Sequence, residues 1–134
     1  MKDELGRNIN YLRISVTDRC NLRCRYCMPE EGIEKKEHLD ILTLEEIFEV
    51  VRVCADLGTN KIRITGGEPL VRNGLTGLIE RITALESIKD LALTTNGSLL
   101  KKYARELKKA GLKRINISLD TMDDKKYEYL TRGG

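Results

Sequence analysis

Three cysteines bunched as Cys20-x₃-Cys24-x₂-Cys27 are the residues whose type and spacing most directly imply chemistry. Thiolates are soft ligands, and at this spacing they can wrap one face of an iron–sulfur cube. A fully ligated cube takes four cysteines. Three leave the fourth iron of a [4Fe–4S] cluster open, much as a catalytic zinc keeps one position for its substrate. The competing reading is a structural Cys₃His zinc site. It would need His38, the single histidine, which lies in a charged stretch well beyond Cys27, whereas zinc motifs come as close pairs. His38 reads instead as a solvated surface residue.

A second constellation is Gly66-Gly67-Glu68-Pro69. Two glycines let a ligand approach the backbone closely, and Glu68 offers a carboxylate to an ammonium group. An ordinary strand-to-helix turn is the plain alternative.

The elements that position these residues follow from periodicity and punctuation. Strands are expected over 12–16, 61–65, 91–94 and 114–119, and helices over 44–57, 75–85 and 99–110, with a further helix beginning at 125–130. Thr43 and Glu46 form a capping box, and Gly58 and Gly111 close their helices. The apolar stripe of the 44–57 helix is Ile47, Val50, Val51, Cys54 and Leu57, which makes Cys54 a core cysteine. Strand–helix alternation with short joints means βαβ units, a parallel sheet and a single α/β domain over 1–134. The cysteine loop then follows the first strand at the carboxyl end of the sheet, where α/β proteins place their chemistry.

All four strands alternate with period 2, unlike the continuous apolar runs of a doubly covered parallel sheet. Leu12, Ile14, Ile62, Ile64, Leu91, Leu93, Ile115, Ile117 and Leu119 fall on a face expected to pack beneath the helices. Arg13, Ser15, Lys61, Arg63, Thr65, Thr94, Asn116, Ser118 and Asp120 fall on the other. Such a face is either simply solvated or lines a hydrated cavity for something charged. The basic pair Arg13 and Arg63 favours an anion, because guanidinium forks match phosphate oxygens bidentately.

Bulk composition narrows the partners. Charged residues make up 34% and hydrophobic ones 40%, as in a soluble globular domain. A net charge of +3 with mixed signs, no Trp and 4% aromatics argue against nucleic acid. No apolar run approaches the roughly 20 residues of a membrane span, and no secretory leader is visible. A reducing cytoplasmic location is expected, in which clustered thiols serve metals or catalysis rather than disulfides.

The Cys-x₃-Cys-x₂-Cys loop after the first strand and the Gly-Gly-Glu-Pro turn after the second resemble the radical S-adenosylmethionine (SAM) superfamily. Within it, the runs LRISVTDRCN (12–21), YCMP (26–29), KIRITGGEPL (61–70), LTTNG (93–97) and RINISLD (114–120) are similar to the GTP 3′,8-cyclases of molybdenum cofactor biosynthesis. The resemblance implies that Cys20, Cys24 and Cys27 ligate a [4Fe–4S] cluster, and that Tyr26, Gly67 and Ser118 contact SAM, with Glu68 in the same turn. It implies GTP contacts at Arg13, Arg63 and Thr94, assisted by Lys61. It also implies a lyase that needs an external electron donor and works as a homodimer. No catalytic residue beyond the cluster and SAM is indicated.

The family resembles a six-strand partial barrel followed by a C-terminal region with a second three-cysteine cluster. Here about four βα units are present and no cysteine follows Cys54. Gly133-Gly134 matches an Arg-Gly-Gly segment near the end of the fourth unit. The resemblance therefore implies an N-terminal portion that lacks the second-cluster region and carries an unfinished GTP site. Another radical SAM enzyme, or a non-catalytic iron–sulfur-binding fragment, remain the alternative readings.

Overall fold

The computed structural model describes residues 2–32 and 40–133; His38 and Gly134 lie outside them. Four strands, β1 (Tyr11–Ser15), β2 (Lys61–Thr65), β3 (Asp90–Thr95) and β4 (Arg114–Ile117), form one parallel sheet in the order β1-β2-β3-β4. Its registry sets Arg13 beside Arg63, Ile64 beside Leu93, and Thr94 beside Asn116. Beyond β1 the ladder continues, since the Val16 amide donates to the Thr65 carbonyl at 2.9 Å.

Between the strands run α1 (Leu44–Asp56), α2 (Leu75–Thr83) and α3 (Leu100–Lys109), and α4 (Asp124–Thr131) follows β4. The capping box of α1 is formed: the Glu46 amide donates to Thr43 Oγ1 at 3.1 Å, and the Thr43 amide to Glu46 Oε2 at 2.7 Å. Gly111 ends the α3 segment with φ 88°, a left-handed conformation open to glycine at little cost. Against it, Thr83 Oγ1 donates to the Ala110 carbonyl at 2.7 Å, joining α2 to α3.

Ile62, Ile64, Leu91 and Leu93 from the sheet bury themselves against Ile47 and Val51 of α1, Leu78, Ile79 and Ile82 of α2, and Leu107 of α3. Each such side chain contributes about 1.5–3 kcal/mol, so this layer is what holds the strand ends in place.

Two expectations about the apolar surface need correction. In α1 the buried residues are Ile47, Val51 and Ala55, four apart; Cys54 is only half-buried, and Val50 and Leu57 are exposed. The helix is turned so that Phe48 meets the Arg81 guanidinium of α2 at 4.0 Å, which carries the opposite flank away from the core. Ile115 and Ile117 of β4, and Leu119 just beyond the strand's end, are not beneath helices; Ile117 is 54% and Leu119 52% exposed. β4 is a sheet edge, and α4 goes to the carboxyl end of the sheet instead of crossing that face.

Candidate functional site

The chain leaving β1 meets the turn leaving β2. The Gly67 amide donates to the Thr17 carbonyl and the Glu68 amide to the Arg19 carbonyl, each at 2.8 Å. Both glycines are required by this contact. A Cβ on Gly67 would stand 2.3 Å from the Arg19 oxygen, and one on Gly66 2.6 Å from the Thr17 oxygen. The close approach inferred for a ligand is thus first made by the cysteine loop itself.

Glu68 points inward and is 0% exposed. Its Oε1 accepts from the Leu70 amide at 3.0 Å and the Thr95 hydroxyl at 2.7 Å, and its Oε2 from the Asn96 amide at 2.7 Å. The carboxylate anchors the β2 turn to the end of β3 and does not line the hollow where an ammonium group would sit. From that same β3 end, Asn96 Nδ2 donates to Asn21 Oδ1 at 3.0 Å, and Asn21 Nδ2 donates to Ser98 Oγ at 2.8 Å.

The loop also has internal and distant ties. The Cys27 and Met28 amides both donate to the Cys24 carbonyl, at 2.9 and 3.1 Å. At the loop's far side the Arg23 and Arg25 amides donate to the Thr131 and Leu130 carbonyls of α4. Arg25 stacks over the Tyr129 ring at 4.1 Å. Arg132, which caps α4 with φ 55°, sends Nη1 to the carbonyls of Arg23 and Met28. That conformation costs a non-glycine residue roughly 1–2 kcal/mol.

These ties surround a hollow of about 240 Å³. Cys20, Cys24, Tyr26, Cys27, Gly67, Thr94, Ser118 and Arg13 all line it. Lys61 and Arg63 do not, although Arg63 shares the polar strand face with Arg13. Residues that sequence reasoning did not single out also line it: Thr95, Asn96, Tyr127 and Thr131, with Asp120 at its rim. Tyr26 donates its phenol to Asp120 Oδ2 at 2.5 Å. This hydrogen bond, with some burial and the charge of Cys24, pushes the phenol above its ordinary pKa.

All four cysteines are free thiols. Burial, then the neighbouring Cys24 and Cys20 charges, raise the Cys27 thiol. Among the described residues, no three His, Cys, Asp or Glu side chains gather as a single ion would need. Thiolates on one zinc, each about 2.3 Å from it, would stand under about 4 Å apart. The three cysteines instead line one shared hollow. Three sulfur donors are also a soft ligand set suited to an iron–sulfur cluster.

A parallel βα sheet with a three-thiol loop at its carboxyl end defines a radical SAM core, and the Radical SAM superfamily profile matches residues 14–134. The chain belongs to that superfamily. It is 64% identical over 132 residues to a GTP 3′,8-cyclase of Peptoclostridium acidaminophilum, covering 98% of this chain and 41% of that protein. It is 58% identical over 135 residues to one of Thermodesulfovibrio yellowstonii, covering all of this chain and 42% of that protein. The chain thus spans about two fifths of the length of these relatives. The solved structure of SuiB from Streptococcus suis bound to S-adenosylmethionine superposes with a TM-score of 0.70 at 24% identity, over 92% of this chain and 26% of that one. This likeness confirms the fold. No helix among the described residues is long and apolar enough to cross a membrane.

Proposed function

We propose that this chain forms the N-terminal part of a radical SAM GTP 3′,8-cyclase, a lyase that joins ribose C3′ of GTP to guanine C8 and yields (8S)-3′,8-cyclo-7,8-dihydroguanosine 5′-triphosphate. The observation that carries this reading is the Arg13–Arg63 pair. The two sit side by side on β1 and β2, and neither has an ion-pair partner among the described residues. Arg63 Nε is buried without a hydrogen bond. Arg13 lines the cysteine hollow and Arg63 adjoins it on the same strand face, and two such cations without ion-pair partners suit a triphosphate. The relatives' name supplies the nucleotide.

Cys20, Cys24 and Cys27 would hold the cluster. A cluster held there with SAM would supply the one-electron chemistry that activates the ribose C–H bond. The protein's own part is placement. Tyr26, fixed by Asp120, would set the adenine side of SAM; Gly67 and Ser118 would offer polar contacts across the hollow; Arg13, Arg63 and Thr94, with Lys61, would orient the triphosphate. Glu68 acts from beneath by holding the β2 turn. A reducing cytoplasm, which keeps the thiols free, and an external one-electron donor belong to the same reading.

The test is GTP binding to the iron-loaded chain, paired with anaerobic assay for 5′-deoxyadenosine. Arg13→Gln and Arg63→Gln should each weaken GTP roughly tenfold, as loss of a charge-assisted phosphate contact does. GTP binding indifferent to both substitutions would refute the nucleotide assignment. A colourless zinc protein that never takes up iron would refute the cluster.

A further inference from the structure

We infer that Arg132 is a positioning residue for the cysteine loop, a clasp that ties the backbone on either side of Cys24 and Cys27 and so governs how firmly the chain retains what its three thiolates bind. Its Nη1 donates to the Arg23 carbonyl at 2.8 Å and to the Met28 carbonyl at 2.9 Å. Those two residues flank the Cys24–Cys27 segment, which has no strand or helix of its own. One guanidinium nitrogen therefore closes the segment into a ring.

Two further observations point the same way. The last carbonyls of α4, which a helix leaves without internal donors, are taken by loop amides: Leu130 accepts from Arg25 at 2.9 Å and Thr131 from Arg23 at 3.3 Å. Arg25 Nε adds a bond to the Tyr129 carbonyl at 2.7 Å. The helix end and the loop are thus one hydrogen-bonded unit, with Arg132 at its centre.

Second, Arg132 is the one non-glycine residue with positive φ among the described residues. Glycine ends a helix in this conformation without strain. The arginine is held there with its guanidinium turned inward and Nε buried, an outlier of the kind that accompanies a positioning role. A plain helix cap makes the opposite prediction from a clasp when glycine is substituted.

Hydrogen exchange on the iron-free chain separates the two. In Arg132→Gly, the Arg25, Cys27 and Met28 amides should exchange roughly tenfold faster while Ile64 and Leu93 keep parental rates. The melting temperature should change little, because relief of the cap strain offsets the two lost hydrogen bonds. After anaerobic loading with iron and sulfide, the variant should lose iron to a chelator several-fold faster than the parent. Arg132→Lys, which keeps a cation able to reach a carbonyl, should recover part of both effects. Loop amides exchanging at parental rates in Arg132→Gly would overturn the clasp, as would loop and core amides accelerating together, or unchanged iron retention. The iron arm rests on the cluster reading, whose own failure appears separately as a parent chain that binds no iron.

Discussion

Tyr26, between two of the thiols, donates its phenol to Asp120 in the segment after β4 across 2.5 Å. The bond joins residues far apart in sequence and closes the rim of the hollow. Tyr26 is 61% exposed, so water can replace either partner. Asp120→Ala and Tyr26→Phe should each cost under about 1 kcal/mol of global stability. Their effects should not add: a double-mutant cycle by denaturant unfolding should return a coupling of about 0.5 kcal/mol. In the same variants SAM binding should weaken in parallel if Tyr26 orients the adenine. Strictly additive unfolding energies would place the two side chains apart in solution.

Glu68 has the opposite environment. Fully buried, its carboxylate accepts from the Leu70 and Asn96 amides and the Thr95 hydroxyl. Glu68→Gln replaces an acceptor oxygen by an NH₂ group that faces a donor, leaving at least one buried group unsatisfied. Such a loss costs about 1–3 kcal/mol, measurable as a lower urea midpoint at unchanged slope. Thr95→Val leaves the Leu70 and Asn96 amides bonded to Glu68 but removes both the hydroxyl donor and the acceptor of the Gly97 amide at 3.1 Å, so its cost should fall in the same range.

What could be read from the sequence divides along a physical line. The strands and the first three helices were legible because alternation, a capping box and glycine stops are local, and the cysteine motif was legible because its three members lie within eight residues of one another. The inward turn of Glu68 was not legible, since a carboxylate in a glycine turn carries no sign of whether it faces a ligand or the end of β3. The exposure of Ile117 and Leu119 depends on which element covers the sheet edge, and period 2 cannot report that. Asn21, Asn96 and Arg132 escaped notice for a related reason: an amide in a turn and an arginine after a helix look solvated until distant backbone arrives beside them.

The capping box of α1 gives a pH-dependent prediction. The Thr43 backbone hydrogen bond, with a contribution from its hydroxyl, holds the Glu46 carboxyl below its ordinary pKa. A depressed folded value means stability that is present above the ordinary glutamate range, around pH 4–5, and lost as pH falls through the folded value. Glu46→Gln should therefore differ most from the parent at neutral pH, and the gap should close in acid. Thr43→Ala, which removes the cap oxygen, should cost about 1 kcal/mol at neutral pH. Thermal unfolding at a series of pH values measures both.

Gly67 and Gly77 separate a glycine that the site needs from one that it does not. A Cβ at Gly77, inside α2, meets nothing within 4 Å, so Gly77→Ala should stabilise the chain by about 0.5–1 kcal/mol through helix propensity. At Gly67 the same methyl would stand 2.3 Å from the Arg19 oxygen and 2.6 Å from its carbonyl carbon. Backbone cannot rotate aside as a flexible side chain can, so Gly67→Ala must push the cysteine loop off the β2 turn. That breaks the Gly67–Thr17 and Glu68–Arg19 hydrogen bonds and should cost about 1–3 kcal/mol. Displacing the loop also moves Cys20, directly after Arg19, relative to Cys24 and Cys27, whose segment α4 still grips. Iron uptake should therefore fall further than stability alone explains. Iron content measured under conditions where the variant remains folded tests this, and parental iron content would show that the turn does not set the thiol geometry.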